Sequence, residues 1–410
     1  MRKKGTLLLA ILLIISLALA GCGKKQPADT DDNSPYKLGV LTTLGGDNGF
    51  LGKDIMDAIN LEVDKINSEG GVNGHPIVIV PQDDGFDSAK AVSGFDKLAQ
   101  QDKVLAVFGL IGEPLEASIR PLAEKYQIPL VTNVPSVPNT RIISPKWTFS
   151  ASQSEVEDVM LWIQWCRDNN YTKVAFLQTN DALNEARLGE AITQFAAAGI
   201  ELNILNDQIN FTSVDVTPEV TKLKALVDQT GSQAVVMTVW PNLIPSVLKA
   251  AKAINLNVPF TQYCEGGDSS LLAMGGDELE GYQQMGFKLL AGEALPDDDP
   301  QKAVCVDFST RFQAKYNRIA GVENSWARDA LYMIVEGLKV SGADSIKLRD
   351  ALENITNFIG TSGIYNYSPD KHDGLGADSM GWYVIRNHEF VLYKNNIMVD
   401  GKIVETLINP

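Results

Sequence analysis

The chain has 410 residues, 45% hydrophobic and 21% charged, and its 51 acidic against 35 basic side chains give a formal net charge of −16. That acidity disfavours nucleic acid and anionic lipid as partners, and the length exceeds one ordinary core and suits two domains. The histidines, His75, His372 and His388, are widely separated and lack metal-ligand spacing, so no metal site is expected and each reads as a surface or loop residue.

Met1-Arg2-Lys3-Lys4 precedes an apolar run from Leu7 to Ala20, then Gly21-Cys22. Charges at the start and small residues at the end suit a signal peptide over residues 1–21 rather than a mature anchor. The string Leu19-Ala20-Gly21-Cys22 resembles a bacterial lipobox, which implies that Cys22 is acylated and becomes the new N-terminus. Losing Arg2, Lys3 and Lys4 and no acid takes the formal charge from −16 to −19. Residues 22–35 then form a lipidated tether. Gly23–Pro35 holds no apolar residue larger than alanine or proline, so it cannot offset its ordering entropy, and it spans roughly 20 Å r.m.s.. No later apolar run is long enough to cross a bilayer. The expectation is an extracytoplasmic protein, lipid-anchored to a bacterial membrane, periplasmic or at the cell surface. Beyond Cys22, Cys166, Cys264 and Cys305 are an odd set, so at most one disulfide can form among them.

Tyr36–Thr42 is predicted as a buried strand, and Ile55, Ala58, Ile59, Val63 and Ile66 follow at helical spacing. Gly70-Gly71 ends that helix, and Pro76–Val80 is a second strand leading into Gln82-Asp83-Asp84. A helix over Ser88–Gln100, the strand Val104–Phe108, a helix over Pro114–Tyr126 and the strand Ile128–Val131 continue the alternation. Polar turn residues within Trp147–Ser154 mark a break before a helix over Glu155–Asn169. The pattern restarts with Val174–Gln178, a helix through Leu188–Ala198, the strand Val235–Val239, a helix over Ile244–Ala253 and the strand Phe260–Tyr263. Then come a helix near Ala327–Val340, a loop-rich stretch and a hairpin over Gly381–Lys394. Such alternation implies an α/β fold with parallel sheets flanked by helices, in two domains of similar size.

Catalytic readings fail on spacing. Gly45-Gly46-Asp47-Asn48-Gly49-Phe50-Leu51-Gly52 lies between a strand and a helix, but Leu44 occupies the first glycine of a GxGxxG frame and no GK[ST] loop exists. No GxSxG elbow or Cys/His pairing supplies a nucleophile, so neither an enzyme nor a cofactor is expected. Asp83 and Asp84 point in opposite directions at a strand end, which favours turn formation and helix capping over cation binding.

Several segments carry a family resemblance. They are Leu51-Gly52-Lys53-Asp54, Ile66-Asn67-Ser68-Glu69-Gly70-Gly71-Val72-Asn73-Gly74, and Gln82-Asp83-Asp84 with Ala89 downstream. Val107-Phe108-Gly109 leading to Pro121-Leu122-Ala123-Glu124 and Ile128-Pro129 adds to them. With these the chain resembles the type I periplasmic solute-binding proteins, specifically the leucine/isoleucine/valine-binding receptors of ABC transporters, over nearly all of Tyr36 onward. The resemblance implies two Rossmann-like lobes joined by three crossover hinge strands, closing on a small molecule like a clamshell. Residues 36–149 and 287–362 would form one lobe, and 150–286 and 363–410 the other. A monomer is expected, with ABC transporter permease subunits as its protein partners.

Ligands of open α/β sheets sit beyond the carboxyl ends of strands. Here those places are Thr43–Leu51, Gly109–Pro114 and Asn133–Pro138 in one lobe, with Thr179–Ala186, Val239–Asn242 and Tyr263–Gly267 in the other. Within them the resemblance implies a carboxylate-binding hydroxyl at Ser136, after Val134-Pro135, an ammonium-binding acid at Glu265 and an aromatic before proline at Trp240. Its two pocket aromatics fall on Leu51, with Phe50 beside it, and on Leu183, both departures. Its glycine-rich loop falls on Ile111-Gly112-Glu113, where Glu113 replaces a carboxylate-binding serine.

Two like charges about 4 Å apart repel by roughly 4 kcal/mol at an effective dielectric near 20. Either Glu113 points away, or it is protonated, or it meets a cation or hydroxyls, and Glu113-Pro114 also suits the first turn of a helix. The implied ligand is an amino acid or a related small polar or organic-acid solute, and the implied function is reception for an ABC importer. The alternative is a sensory receptor of the same fold that signals to a membrane partner. A lipid tether without a following spanning segment favours the importer.

Overall fold

β1 (Tyr36–Thr42) starts where the sequence places it and leads into α1 (Gly49–Ser68) and β2 (Ile77–Asp83). α2 (Ser88–Lys97, prolonged by a π-helical turn over Leu98–Asp102), β3 (Ala106–Phe108), α3 (Glu113–Tyr126), β4 (Leu130–Thr132) and β5 (Thr148–Ser150) follow. All five strands pair in parallel in the order β2-β1-β3-β4-β5. The computed structural model describes residues 33–46, 49–134, 146–210, 212–263, 269–399 and 402–408. The predicted signal peptide, Cys22, most of the tether, Pro135, Ser136, Cys264 and Glu265 lie outside the described residues.

The second half repeats the plan with α4 (Glu155–Asp168), β6 (Lys173–Gln178), α5 (Ala182–Ala198), β7 (Glu201–Ile204), α6 (Thr217–Thr230), β8 (Ala234–Thr238), α7 (Ile244–Ala253), β9 (Phe260–Gln262) and the short α8 (Ser269–Gly275). Its strands are parallel in the order β7-β6-β8-β9. Both sheets are covered on two faces, as the alternation predicts. In the first, Ile55 and Ile59 of α1 meet Leu38, Val40 and Phe108, while Phe95 of α2 and Ile119 of α3 meet Leu41, Val107 and Leu130 from the opposite side. In the second, Trp162 and Phe195 cover Phe176 and Val236, and Val220, Leu223 and Val247 cover Leu177 and Met237. Burial of the central strands β1, β3, β6 and β8 on both faces explains why they read as apolar runs rather than alternating ones.

The C-terminal part is more regular than its sequence indicates. After β10 (Gln283–Phe287) come α9 (Lys302–Tyr316), α10 (Val322–Ser341) and α11 (Ser345–Glu353), then the two-residue strands β11 (Phe358–Ile359) and β12 (Ile364–Tyr365). β13 (Met380–Arg386), β14 (Glu389–Val399) and β15 (Lys402–Leu407) form an antiparallel sheet with β10, in the order β10-β13-β14-β15. α9 and α10 return to the first sheet. Arg311 pairs with the buried Glu62 at 2.7 Å, Tyr332 donates to the same carboxylate at 2.7 Å, and Asn324 donates to the Asp54 carbonyl. α10 begins five residues before its predicted start because its first turns bury Glu323, Asn324 and Ser325, which interrupt the apolar period. α5 starts six residues early, where Asp181 caps it by accepting from the Asn184 N–H at 3.0 Å.

The chain therefore passes between the two parallel sheets three times. In the first passage Ser150 donates through Oγ to the Val134 carbonyl (2.8 Å) and receives the Ser152 N–H (3.1 Å). In the second, Lys288 and Asp299 form a buried pair at 2.9 Å, and Gln301 donates to the Gly360 carbonyl. In the third, the Thr361 and Ser362 N–H groups donate to Asp329, while Tyr365 and Tyr367 donate back to the carbonyls of Ala151 and Ser150, each at 2.7 Å. His372 belongs here and not to the surface: it is buried, stacked on Phe149 at 4.2 Å. Cys166 and Cys305 are buried free thiols, and burial pushes the Cys166 thiol up to about 12.

Candidate functional site

The site is set by what happens where the parallel strands stop. At the end of β1, Thr43 donates through Oγ1 to Asp84 Oδ1 at 2.6 Å and the Leu44 N–H donates to Asp83 Oδ1 at 2.8 Å. The Gly85 and Phe86 N–H groups donate to Asp83 and Asp84, both at 2.9 Å. The adjacent acids thus tie the β1 exit to the β2 exit, the turn-forming role the sequence favours. Their chemistry diverges. The backbone donors of Leu44 and Gly85 hold the Asp83 carboxyl below its usual range, while burial pushes Asp84 up against its bonds from Thr43 and Phe86. α1 can lean on this exit because residue 52 is glycine: a Cβ there would lie 2.0 Å from the Thr43 carbonyl oxygen. Leu51 turns into the core at 9% exposure, while its neighbour Phe50 stays 53% exposed.

After β3 the chain turns through Gly109 (φ +88°) and Gly112 (φ +104°), conformations that favour glycine. Ile111 packs against the core, and the Phe86 ring approaches within 3.5 Å of where a Cβ on Gly112 would stand. Glu113 is half-buried as the first residue of α3, with Pro114 next, the position its first-turn reading assigns. Burial pushes the Glu116 carboxyl up against the pull of Arg120 at 3.1 Å, and the Glu113 charge adds to the rise. After β4, Asn133 and Val134 are both buried. Pro135 and Ser136 lie beyond the described residues.

In the second sheet, Thr179 follows β6 and donates through Oγ1 to Asp181 at 2.8 Å. Leu183 is the second residue of α5. Trp240 leads into a 3₁₀ turn over Pro241–Leu243 and packs half-buried against the core of this sheet. Tyr263 follows β9 and is buried two positions before the predicted Glu265, which lies outside the described residues. Of the predicted site residues, Leu51, Ile111, Gly112, Glu113, Val134, Leu183 and Trp240 are thus at strand exits or the helix starts after them.

Sequence reasoning missed a buried ionic cluster beneath these exits. Arg187 of α5 donates through Nε and Nη2 to the Glu155 carboxylate of α4, and through Nη1 to Asn184 at 2.8 Å. Asp158 stands 3.6 Å from Nη2, and the guanidinium lies 3.8 Å from the centre of the Tyr263 ring. All four charged and amide side chains are buried. No short motif announces this, since Glu155, Asp158 and Arg187 each sit where a helix normally turns charge to water. Among the described residues no group of three His, Cys, Asp or Glu could hold a metal ion, and no helix is long and apolar enough to cross a membrane.

Comparison with known proteins agrees with this geometry. A protein of Pseudomonas aeruginosa described as "Leucine-, isoleucine-, valine-, threonine-, and alanine-binding protein" is 24% identical over 401 residues, covering 96% of this chain and 97% of its own. An extracellular ligand-binding receptor from Rhodopseudomonas palustris HaA2 superposes with a TM-score of 0.77 at 18% identity, over 87% of this chain and 99% of its own. A solute-binding protein of an ABC transporter from Rhodopseudomonas palustris BisB5, solved with 3,4-dihydroxybenzoic acid, superposes at 0.72 with 19% identity, over 92% and 97%. The fold is therefore that of the type I periplasmic binding proteins, and the molecule is a solute-binding receptor rather than an enzyme. Since the family pattern runs unbroken from residue 35 to residue 385, through both parallel sheets and all three passages between them, the chain belongs to the Periplasmic binding protein family.

Proposed function

We propose that the chain is the extracytoplasmic receptor of an ABC importer, capturing an amino acid or a related small polar or organic-acid solute between two lobes. One lobe comprises residues 36–149 and 287–362, the other 150–286 and 363–410. The observation that carries this reading is the path of the chain: three hydrogen-bonded passages link two parallel sheets, each with polar loops at its carboxyl strand ends. A solute touching both lobes stabilises the closed form by its differential affinity, and permease subunits read that closure. The amino acids named for the Pseudomonas relative and the acid bound to the Rhodopseudomonas protein both support a small, carboxylate-bearing solute. Ser136 and Glu265 take its carboxylate and ammonium, with Leu51, Ile111, Gly112, Glu113, Val134, Pro135, Leu183 and Trp240 around them. Cys22 carries the lipid.

A thermal-shift screen over amino acids, aromatic acids, polyamines and polyols tests the reading. A solute present at 100 times its Kd stabilises the fold by about 2.7 kcal/mol, a clear rise in melting temperature. A flat response across amino acids and organic acids would refute the solute class. Replacing Cys22 with serine is expected to release the mature protein from the membrane, and a variant that stays bound after high-salt washing refutes the anchor.

A further inference from the structure

Asn133 stands at the carboxyl end of β4, on a strand of the first sheet that is buried on both faces. Its backbone N–H donates to the Leu110 carbonyl at 2.9 Å, and the Ala151 N–H donates to the carbonyl of Thr132, the last residue of β4. Its side chain is 1% exposed, yet neither Nδ2 nor Oδ1 has a partner among the described residues. A primary amide can make up to four hydrogen bonds, and burying it with none is costly, whereas an apolar side chain of the same size would cost nothing of the kind. The same feature recurs at the end of the second sheet. Gln178 and Thr238, the last residues of β6 and β8, face each other in register and bury an unpaired Oε1 and an unpaired Oγ1. Spare hydrogen-bonding groups thus sit at the carboxyl strand ends of both sheets, where α/β folds receive ligands.

We propose that Asn133 is a ligand-contacting residue whose amide offers one donor and one acceptor together to a solute carrying both, as the carboxylate and ammonium of an α-amino acid do. The inference rests on the solute-binding reading above and adds to it a residue whose cost to the fold is offset only by binding. Asn133→Leu keeps the branched shape and the number of side-chain heavy atoms, at a larger volume, and removes the polar atoms. The variant melts at or above the temperature of the parent, because deleting an unpaired buried amide relieves a penalty. Its affinity for L-leucine and L-alanine, measured by isothermal titration calorimetry, falls about 10- to 100-fold, the loss expected for hydrogen bonds to charged groups. Asn133→Ser, smaller and unable to clash, binds with an affinity between the two.

A lower melting temperature for Asn133→Leu, with Asn133→Ser destabilised as well, would mean that ordered water satisfies the amide as part of the fold, and the proposal falls. Equal amino-acid affinity in all three proteins overturns it too. If the parent binds neither amino acid, the amino-acid reading is what fails. The melting comparison then decides on Asn133 alone: stabilisation by leucine upholds a binding role, and destabilisation removes it.

Discussion

At the carboxyl end of the first sheet, the loops are held mainly through backbone groups: Asp83 and Asp84 collect the N–H groups of Leu44, Gly85 and Phe86 and the Thr43 hydroxyl, and Gly52 lets α1 settle on the Thr43 carbonyl. At the same end of the second sheet, Arg187 reaches Glu155, 32 positions away, and both side chains are removed from water. The difference is one of dielectric. Exposed turn acids such as Asp83 interact through a screened medium and contribute little each, whereas charges in the second cluster depend on one another. The first end is therefore expected to tolerate loss of either acid better than the second tolerates loss of its cation.

Breaking the second cluster should give the largest effect. Arg187→Met leaves the Glu155 and Asp158 carboxylates buried without their cation, and is expected to cost about 3–5 kcal/mol in urea unfolding. Adding Glu155→Gln to that variant should restore part of the loss, since one uncompensated charge is then gone. A penalty below about 1 kcal/mol for Arg187→Met would show that the cluster is solvated and that the contrast between the two ends is false.

That contrast also governs what was legible in the sequence. β1 and α7 have their observed ends in the sequence reading, because a continuous apolar strand and an amphipathic helix carry their period locally. The Asp83-Asp84 turn was readable for the same reason. β7 was not: it is a four-residue edge strand, exposed or half-buried throughout. α6 and α9 went unread although Val220, Leu223 and Val227, and Cys305, Phe308 and Phe312, recur at i, i+3 and i+7, a spacing that could have found them. Arg187, Glu155 and Asp158 had no such signal, because pairing across 32 positions is decided by packing. Asn133 lay inside a segment assigned to the cleft, but an asparagine in a loop gives no sign of being buried with an unpaired amide.

The first end can be stressed sterically. Gly52→Ala places a methyl 2.0 Å from the Thr43 carbonyl oxygen, a backbone atom with no rotamer to escape through. The helix start must shift, at an expected cost of about 1–3 kcal/mol in unfolding free energy, with α1 lifted from the β1 exit. Solute affinity should fall with it, because the Thr43–Leu51 loop moves. A variant as stable as the parent would mean that α1 is free to slide and that the exit is not fixed by this contact.

The smallest effect, and the one that separates the two acids, is in pH. Asp83 has its carboxyl held down by backbone donors, so its contribution is present above the unfolded-state value near 3.9 and is lost as pH falls through its lowered folded value. Asp83→Asn weakens two acceptor bonds, and with the exposure of this side chain the cost at pH 7 should be about 0.5–1 kcal/mol, vanishing at low pH. Asp84 has the opposite sign. Burial raises its carboxyl, so the folded state binds the proton more tightly than the unfolded chain and the ionised form costs stability as pH rises through that window. Asp84→Asn keeps an acceptor oxygen for Thr43 Oγ1 and the Phe86 N–H while removing the buried charge. It should leave stability at pH 7 unchanged within about 0.5 kcal/mol or raise it, and it should steepen the loss on acidification, because the compensating uptake of a proton by the folded state is gone. Urea unfolding of both variants at pH 7, at pH 4 and again below the lowered Asp83 value resolves the pair. Were Asp84→Asn the more damaging of the two at pH 7, its carboxylate would be a required anion at the β1 exit rather than a turn acceptor.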